Sequence, residues 1–347
     1  MSASKPLPSD FKLQSYTIKE VLGKGGFGIT YLAHDETLLQ NVAIKEFFLY
    51  NYSKRNDDYS LRAEGVQADE MVKWGMDRFV TEANTLRLFK HPNLVKIHSI
   101  FHENNTAYIV MQYEQGKTLS ALLKENKRFS EEELNDIVLA LLDGLELMHN
   151  QGFIHRDIKP GNIFIREDNS PVLIDFGSAR FTLEDDKTLT QLVTPGYAPY
   201  EQYHGKSDVQ GPWTDIYSLG ATLYQVITGE NLLDSNFRAN SSSDEAFNEM
   251  WNDLEKYNKE YSIFFLRAIE HALRNDIKDR PQTVAEWKEI LTDPNISTQT
   301  QWRMAVRKKS VPDASNFSNI EFWQYPIFYI PISLAIILTG ISFFVLL

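Results

Sequence analysis

Several short runs in the first third of the chain share one texture. YTIKEVLG (16–23), ITYLAHD (29–35), NVAIKEFF (41–48), LVKIHSIFH (94–102) and TAYIVMQY (106–113) are rich in β-branched and aromatic residues and are divided by turn-forming ones. That pattern predicts antiparallel strands. From Ser130 the period changes: in SEEELNDIVLALLDGLELMHNQG the apolar residues recur every three or four positions, Ser130 and Glu133 stand at capping-box spacing, and Gly152 marks the end. A second helix is predicted over RFVTEANTLRLF, with Phe79, Ala83, Leu86 and Leu88 on its apolar side and a stop at His91-Pro92. The pattern therefore predicts an α+β class: a strand-rich lobe over 14–115 and a helix-rich lobe over 116–292, with Gly116 in YEQGKTL as the break. Residues 1–13 are polar and proline-broken and are expected to be flexible, and 293–322 reads as a linker. Residues 47–78 stand as a long insertion between the third strand and the first helix, which could dock a partner, shape access to a site or cover the small lobe.

The segment PIFYIPISLAIILTGISFFVLL (326–347) has 22 residues and no charge. At about 1.5 Å per residue it is long enough to cross a hydrocarbon core of about 30 Å. Trp323, Tyr325 and Tyr329 lie at its amino-terminal edge, and Arg303, Arg307, Lys308 and Lys309 precede it, which assigns the preceding body to the cytoplasmic side. The expectation is a single-pass protein held in a lipid bilayer by a tail anchor at 323–347, with no domain beyond the membrane. MSASKPLPSDFK lacks the apolar stretch of a secretory signal.

With 43% hydrophobic residues the chain is rich enough to bury a core, and its net charge of −12 argues against broad nucleic-acid binding, which needs a basic surface. The absence of cysteine excludes disulfides and thiolate metal sites.

Against that background four clusters point to chemistry. GKGGFG lies between two predicted strands, so it is not the dinucleotide fingerprint, which needs a following helix; its glycines Gly23, Gly25, Gly26 and Gly28 let backbone amides approach a polyphosphate. VAIKE places Lys45 inside an apolar strand, where an ammonium requires an anion. Glu82 on the predicted helix is the candidate carboxylate partner. HRDIKPGNIFI sets Arg156, Asp157, Lys159 and Asn162 within a frame of Ile and Phe, and VLIDFG follows with Asp175. If these two strand ends are neighbours, Asn162 and Asp175 supply oxygen ligands for a hard metal such as magnesium, while Asp157 remains to accept a proton.

The ordered set of Gly23-Gly25-Gly28, Lys45, Glu82, HRDIKPGN, DFG, APYE (198–201) and DIYSLG (from Asp215) resembles the eukaryotic-type, or Hanks-type, serine/threonine protein kinases, including their bacterial membrane-anchored members. The resemblance runs from about Tyr16 to Leu291. It implies a bilobal kinase fold followed by a transmembrane helix, with ATP and Mg²⁺ or Mn²⁺ as cofactors. It implies that Lys45, steadied by Glu82, holds the α- and β-phosphates, that Ala43, the gatekeeper Met111 and the hinge residues Gln112 to Glu114 hold adenine, and that Asn162 and Asp175 hold the metal. Asp157 would take the substrate hydroxyl's proton and Lys159 would neutralise the transferred phosphoryl. Thr194 matches the threonine that contacts these two in serine/threonine-specific members. Arg156 is expected to meet a phosphate on the loop between Asp175 and Glu201, with Thr188 and Thr190 as acceptors. Glu201 is expected to pair with Arg280, and Asp215 to serve a structural role. The partners implied are protein substrates, membrane-associated ones given the anchor, and a second copy for trans-autophosphorylation. Two departures stand out: Thr30 replaces the usual valine over adenine, and Tyr200 adds an aromatic within APYE. The alternatives are a nucleotide-binding pseudokinase or scaffold, disfavoured because Lys45, Asp157 and Asp175 are all present, and a small-molecule kinase, disfavoured by PGYAPYE.

Overall fold

A computed structural model of the chain describes residues 5–26, 28–175, 193–203, 209–240 and 243–293. The first lobe contains β1 (Lys12–Leu13), β2 (Tyr16–Gly25), β3 (Gly28–Asp35), β4 (Gln40–Phe47), β5 (Ser53–Arg55), β6 (Leu61–Ala63), α1 (Val66–Leu86), β7 (Ile97–Glu103) and β8 (Thr106–Gln112). The second contains β9 (Gly116–Thr118), α2 (Leu119–Lys124), α3 (Glu131–His149), β10 (Ile163–Arg166), β11 (Pro171–Leu173), α4 (Tyr200–Tyr203), α5 (Pro212–Thr228), α6 (Ser235–Asn240), α7 (Ser243–Glu255), α8 (Ile263–Ala272) and α9 (Val284–Thr292).

The first lobe is built on an antiparallel sheet of order β1-β2-β3-β4-β8-β7. One face buries Ile18, Tyr31, Ile44, Tyr108 and Val110; the other packs Phe47, Ile97 and Ile109 against Phe79 and Ala83 of α1. Gly28 is required where β3 meets β4, because a Cβ there would lie 2.1 Å from the Glu46 carbonyl oxygen.

Two expectations need correction here. Residues 5–13 are packed rather than flexible: Leu7 and Leu13 are buried in the sheet's core, and the Leu7 N–H donates to the Tyr31 hydroxyl at 3.1 Å. Single apolar residues in a polar stretch give no period, so the pattern concealed them. The helix predicted from Arg78 begins earlier, inside the 47–78 insertion, which is itself largely regular structure. The insertion forms the β5–β6 hairpin and the opening turns of α1, which starts at Val66 and ends at Leu86, leaving Leu88 outside the helix and exposed. The hairpin is tied to the sheet by Arg55, whose Nη2 donates to the fully buried Glu46 at 2.6 Å and whose guanidinium lies 5.4 Å from the Phe48 ring centroid.

In the second lobe α3 has the capping box its sequence predicts: the Glu133 N–H donates to Ser130 Oγ at 3.1 Å and the Ser130 N–H to the Glu133 carboxylate at 2.7 Å. Its buried face, Leu134, Ile137, Val138, Leu141, Leu145 and Met148, repeats at helical spacing, each such side chain contributing about 1.5–3 kcal/mol of burial. The helix gives way to a turn at Gly152, whose φ is +79°. α5 packs on α8 and α9. β9, β10 and β11 form a small sheet of order β11-β10-β9 beneath the interlobe crossing. Gly116 makes that crossing with φ +143° and sits so close to β10 that a Cβ would lie 2.1 Å from the Ile165 carbonyl oxygen.

Among the described residues no helix is long and apolar enough to cross a membrane. The segment 326–347, most of the predicted linker, and Thr188 and Thr190 lie outside the described residues.

Candidate active site

A cleft of about 630 Å³ opens where the glycine hairpin of β2–β3 faces β10 and the loop before it. It gathers residues that are far apart in sequence. Gly23, Gly25, Gly26 and Gly28 line it with Ala43 and Lys45 from β4, Met111, Gln112 and Glu114 from the end of β8, and Asp157, Lys159, Asn162, Asp175 and Thr194 from the second lobe. Leu22, Val95, Phe164 and Ile174 add an apolar lining that sequence reasoning passed over. The clue was available in the apolar residues flanking the glycine run and in NIFI.

Asp157 is the centre of the polar end. Its carboxylate accepts from Lys159 Nζ (2.9 and 2.8 Å), from Thr194 Oγ1 (3.0 Å) and from Asn162 Nδ2 (2.8 Å), while Lys159 Nζ also donates to Thr194 Oγ1 at 3.1 Å. The segment is held from below. Asp215, fully buried at the start of α5, accepts the His155 and Arg156 N–H groups at 2.8 Å each and lies 2.7 Å from His149 Nε2. Burial pushes the Asp215 carboxyl up, but the His149 hydrogen bond and charge, with the backbone donor of Arg156, outweigh it and hold the group below its ordinary range. Burial keeps the His155 imidazole below its ordinary value, and its Nδ1 accepts the Asp157 N–H at 3.2 Å. This bracing forces Arg156 into the left-handed region, φ +71°. His149 was not singled out in the sequence, where it looks like an ordinary last-turn residue.

Asn162 and Asp175 are brought together by strand pairing: the Ile174 N–H donates to the Asn162 carbonyl at 3.0 Å, setting Asp175 beside it. Lys45 Nζ lies 2.5 Å from Asp175 Oδ1. The expected pair of Lys45 with Glu82 is not made. Glu82 instead lines a neighbouring cavity of about 40 Å³ together with Lys45 and Asp175. Burial pushes its carboxyl up to about 8, against the pull of the Lys45 ammonium.

Other sequence-predicted residues lie outside the cleft. Arg280 and Glu201 form a buried bidentate pair at 2.7 and 3.1 Å, and Thr214 Oγ1 donates to the same carboxylate at 3.1 Å. Arg156 leaves its buried Nε without a partner among the described residues.

Comparisons with known proteins agree with this geometry. The family model described as protein kinase domain matches residues 16–295. The chain is 33% identical over 223 residues to the serine/threonine-protein kinase PknA of a Nostoc species, covering 62% of this chain and 37% of that protein. It is equally 33% identical over 227 residues to serine/threonine-protein kinase C of a Synechocystis species, covering 62% and 39%. The chain thus spans less than half the length of these curated relatives. The solved apo form of PpkA-294 superposes with a TM-score of 0.73 at 37% identity, over 83% of this chain and all of that one. Rad53 in complex with AMP-PNP shares the fold, with a TM-score of 0.58 at 20% identity, over 80% of this chain and 66% of that one.

Proposed function

We propose that this chain, which belongs to the protein kinase domain family, transfers the γ-phosphoryl group of ATP to serine or threonine hydroxyls of protein substrates. The observation that carries the reading is the convergence of Lys159, Asn162 and Thr194 on the Asp157 carboxylate, at the mouth of a cleft that also holds Lys45 and Asp175.

The donor set fits a hard divalent cation. Asn162 spends its amide nitrogen on Asp157, both at the carboxylate and at the backbone oxygen (2.8 Å each), which leaves its side-chain oxygen as a ligand beside the Asp175 carboxylate. Two protein oxygens with phosphate and water completing the shell suit magnesium, and among the described residues no larger acidic or histidine cluster competes. When bound, the ion neutralises and orients the phosphate oxygens.

The chain's own residues then divide the work. Asp157 accepts the hydroxyl proton as the oxygen bonds to the γ-phosphorus and the bond from that phosphorus to the bridging oxygen breaks, with ADP leaving. Its other donors hold one carboxylate oxygen pair in place, so the base enters the reaction already oriented. Lys159 is positioned to meet negative charge on the transferred group, whose loose transition state depends mainly on placement and electrostatics. Lys45 binds the nucleotide phosphates, which requires it to share or leave Asp175. Backbone amides of the glycine hairpin and the apolar lining exclude water from the phosphates and hold the base.

The test is incubation of the full chain with labelled ATP, Mg²⁺ and a protein acceptor. Phosphoserine or phosphothreonine should form with wild type and be lost in Asp157→Ala; equal incorporation by both would remove the reading.

Two finer readings complete the proposal. Phosphorylation at Thr188 or Thr190, in trans between copies, would supply an anion for Arg156, whose buried Nε has no partner among the described residues. The uncharged 326–347 segment would hold the kinase on the cytoplasmic face of a membrane and so concentrate it near membrane-associated substrates.

A further inference from the structure

We propose that Arg166 is a positioning residue for the nucleotide: by clamping the Glu114 carboxylate it fixes the interlobe segment whose backbone meets the base. The inference rests on the nucleotide reading above.

Arg166 ends β10, four residues after Asn162. Its guanidinium joins three separate pieces of chain. Nε donates to Glu114 Oε2 at 2.7 Å and Nη2 to Glu114 Oε1 at 3.0 Å, a fork-to-fork pair. Nη2 also donates to the Pro92 carbonyl at 2.9 Å, in the loop that follows α1, and Nη1 to Ser170 Oγ at 3.2 Å, in the β10–β11 turn. The two charged side chains are 20% and 8% exposed, so salt screens the pair less than it would a surface pair. The backbone reinforces the same junction: the Glu167 N–H donates to the Gln115 carbonyl at 3.2 Å, and Gly116 is opposite Arg166 in the β9–β10 register.

Three consequences follow. With each carboxylate oxygen accepting from Arg166, the Glu114 side chain is held in one place at the edge of the cleft. The guanidinium ties Glu114, two residues past the end of β8, to β10, which starts one residue after Asn162, and so joins the segment that meets the base to the one that carries Asn162. A lysine cannot reproduce this, because an ammonium is a point charge without the fork. A segment held in its bound conformation before the ligand arrives avoids the ordering cost of binding, so the clamp is read out as nucleotide affinity.

The experiment is direct titration of the full chain with ADP and Mg²⁺, without acceptor, in wild type, Arg166→Met, Arg166→Lys, Glu114→Gln and the Arg166→Met/Glu114→Gln double variant, with near-UV circular dichroism confirming that each is folded. Loss of charge-assisted hydrogen bonds should weaken ADP binding on the order of tenfold in Arg166→Met and Glu114→Gln, less in Arg166→Lys, and in the double variant no more than in either single. In Arg166→Met KM for ATP should rise in step while kcat stays unchanged. Unchanged ADP affinity in folded Arg166→Met, a raised kcat, or losses that add in the double variant would each overturn the inference. If Arg166→Met fails to fold, Arg166→Lys decides on the same criteria. Absence of ADP binding by wild type would instead overturn the nucleotide reading, and this inference with it.

Discussion

The ion pair of Arg55 and Glu46 offers the sharpest stability prediction. Glu46 is fully buried and accepts from Arg55 Nη2 (2.6 Å), Tyr31 Oη (2.7 Å) and Tyr108 Oη (3.0 Å). Arg55 is nearly as buried, and its other nitrogens donate to the Lys5 and Tyr59 carbonyls at 2.7 and 2.9 Å. Burial, followed by the Glu46 charge, pushes both tyrosine hydroxyls up, so they remain donors across the working pH range. Substituting Arg55→Met keeps most of the volume and strands a buried carboxylate. Removing one partner of a buried pair costs about 3–5 kcal/mol, and the two remaining tyrosine donors place this case near about 3. For a domain of this size, 1 kcal/mol moves the melting temperature by about 2–4 °C, so a fall of roughly 6–12 °C is expected by scanning calorimetry. The double variant Glu46→Gln/Arg55→Met removes both charges and should recover much of the loss. A shift of Arg55→Met within about 1 °C of wild type, or a double variant as unstable as the sum of the singles, would refute the reasoning, because either result means the pair carries no coupled energy.

Glu82→Gln should trade activity for stability. Because the folded-state carboxyl titrates near 8 against an ordinary 4.5, the native protein holds a proton that the unfolded chain has released, and wild-type stability falls as pH rises through that window; the amide should flatten the fall in melting temperature between pH 5 and 8 while lowering phosphoryl transfer, and a wild-type curve that rises with pH over that range would contradict the assignment. Arg280→Lys exchanges a buried fork for a point charge against Glu201 and should cost about 2–4 kcal/mol in urea unfolding, with no effect if the pair were dispensable. Deleting residues 320–347 should release the protein from sedimenting membranes with kinase activity kept; full-length protein that stays soluble without detergent would end the anchor proposal.

What the sequence made legible follows from what repeats. The strand runs, the α3 capping box and the cleft residues are encoded by residue type, by helical period and by motif spacing, and β2, β3, β4, β7 and β8 lie within a few residues of the runs rich in β-branched and aromatic residues. The partner of Lys45 was not legible, because whether Asp175 or Glu82 meets it depends on where α1 sits, which no spacing records. The same holds for Arg166 and Glu114, 52 positions apart, each an ordinary charged residue in its own segment.

Glu46 shows the limit in one strand. Successive side chains of a strand point to opposite faces, and β4 is buried on both, so Lys45 and Glu46 each needed a buried partner. VAIKE carries two obligations, one for Lys45 and one for Glu46. Pursuing the second would have led into the 47–78 insertion in search of a cation, and so to its purpose: Arg55 anchors from behind the strand that presents Lys45 to the cleft, and the chain then runs through β6 directly into the helix that carries Glu82. The insertion thus connects Lys45 and Glu82 through covalent chain and one buried ion pair. Loosening it in Arg55→Met should therefore disturb the placement of both, lowering phosphoryl transfer at temperatures where the domain is still folded. Unchanged transfer in that variant would confine the insertion to stability alone.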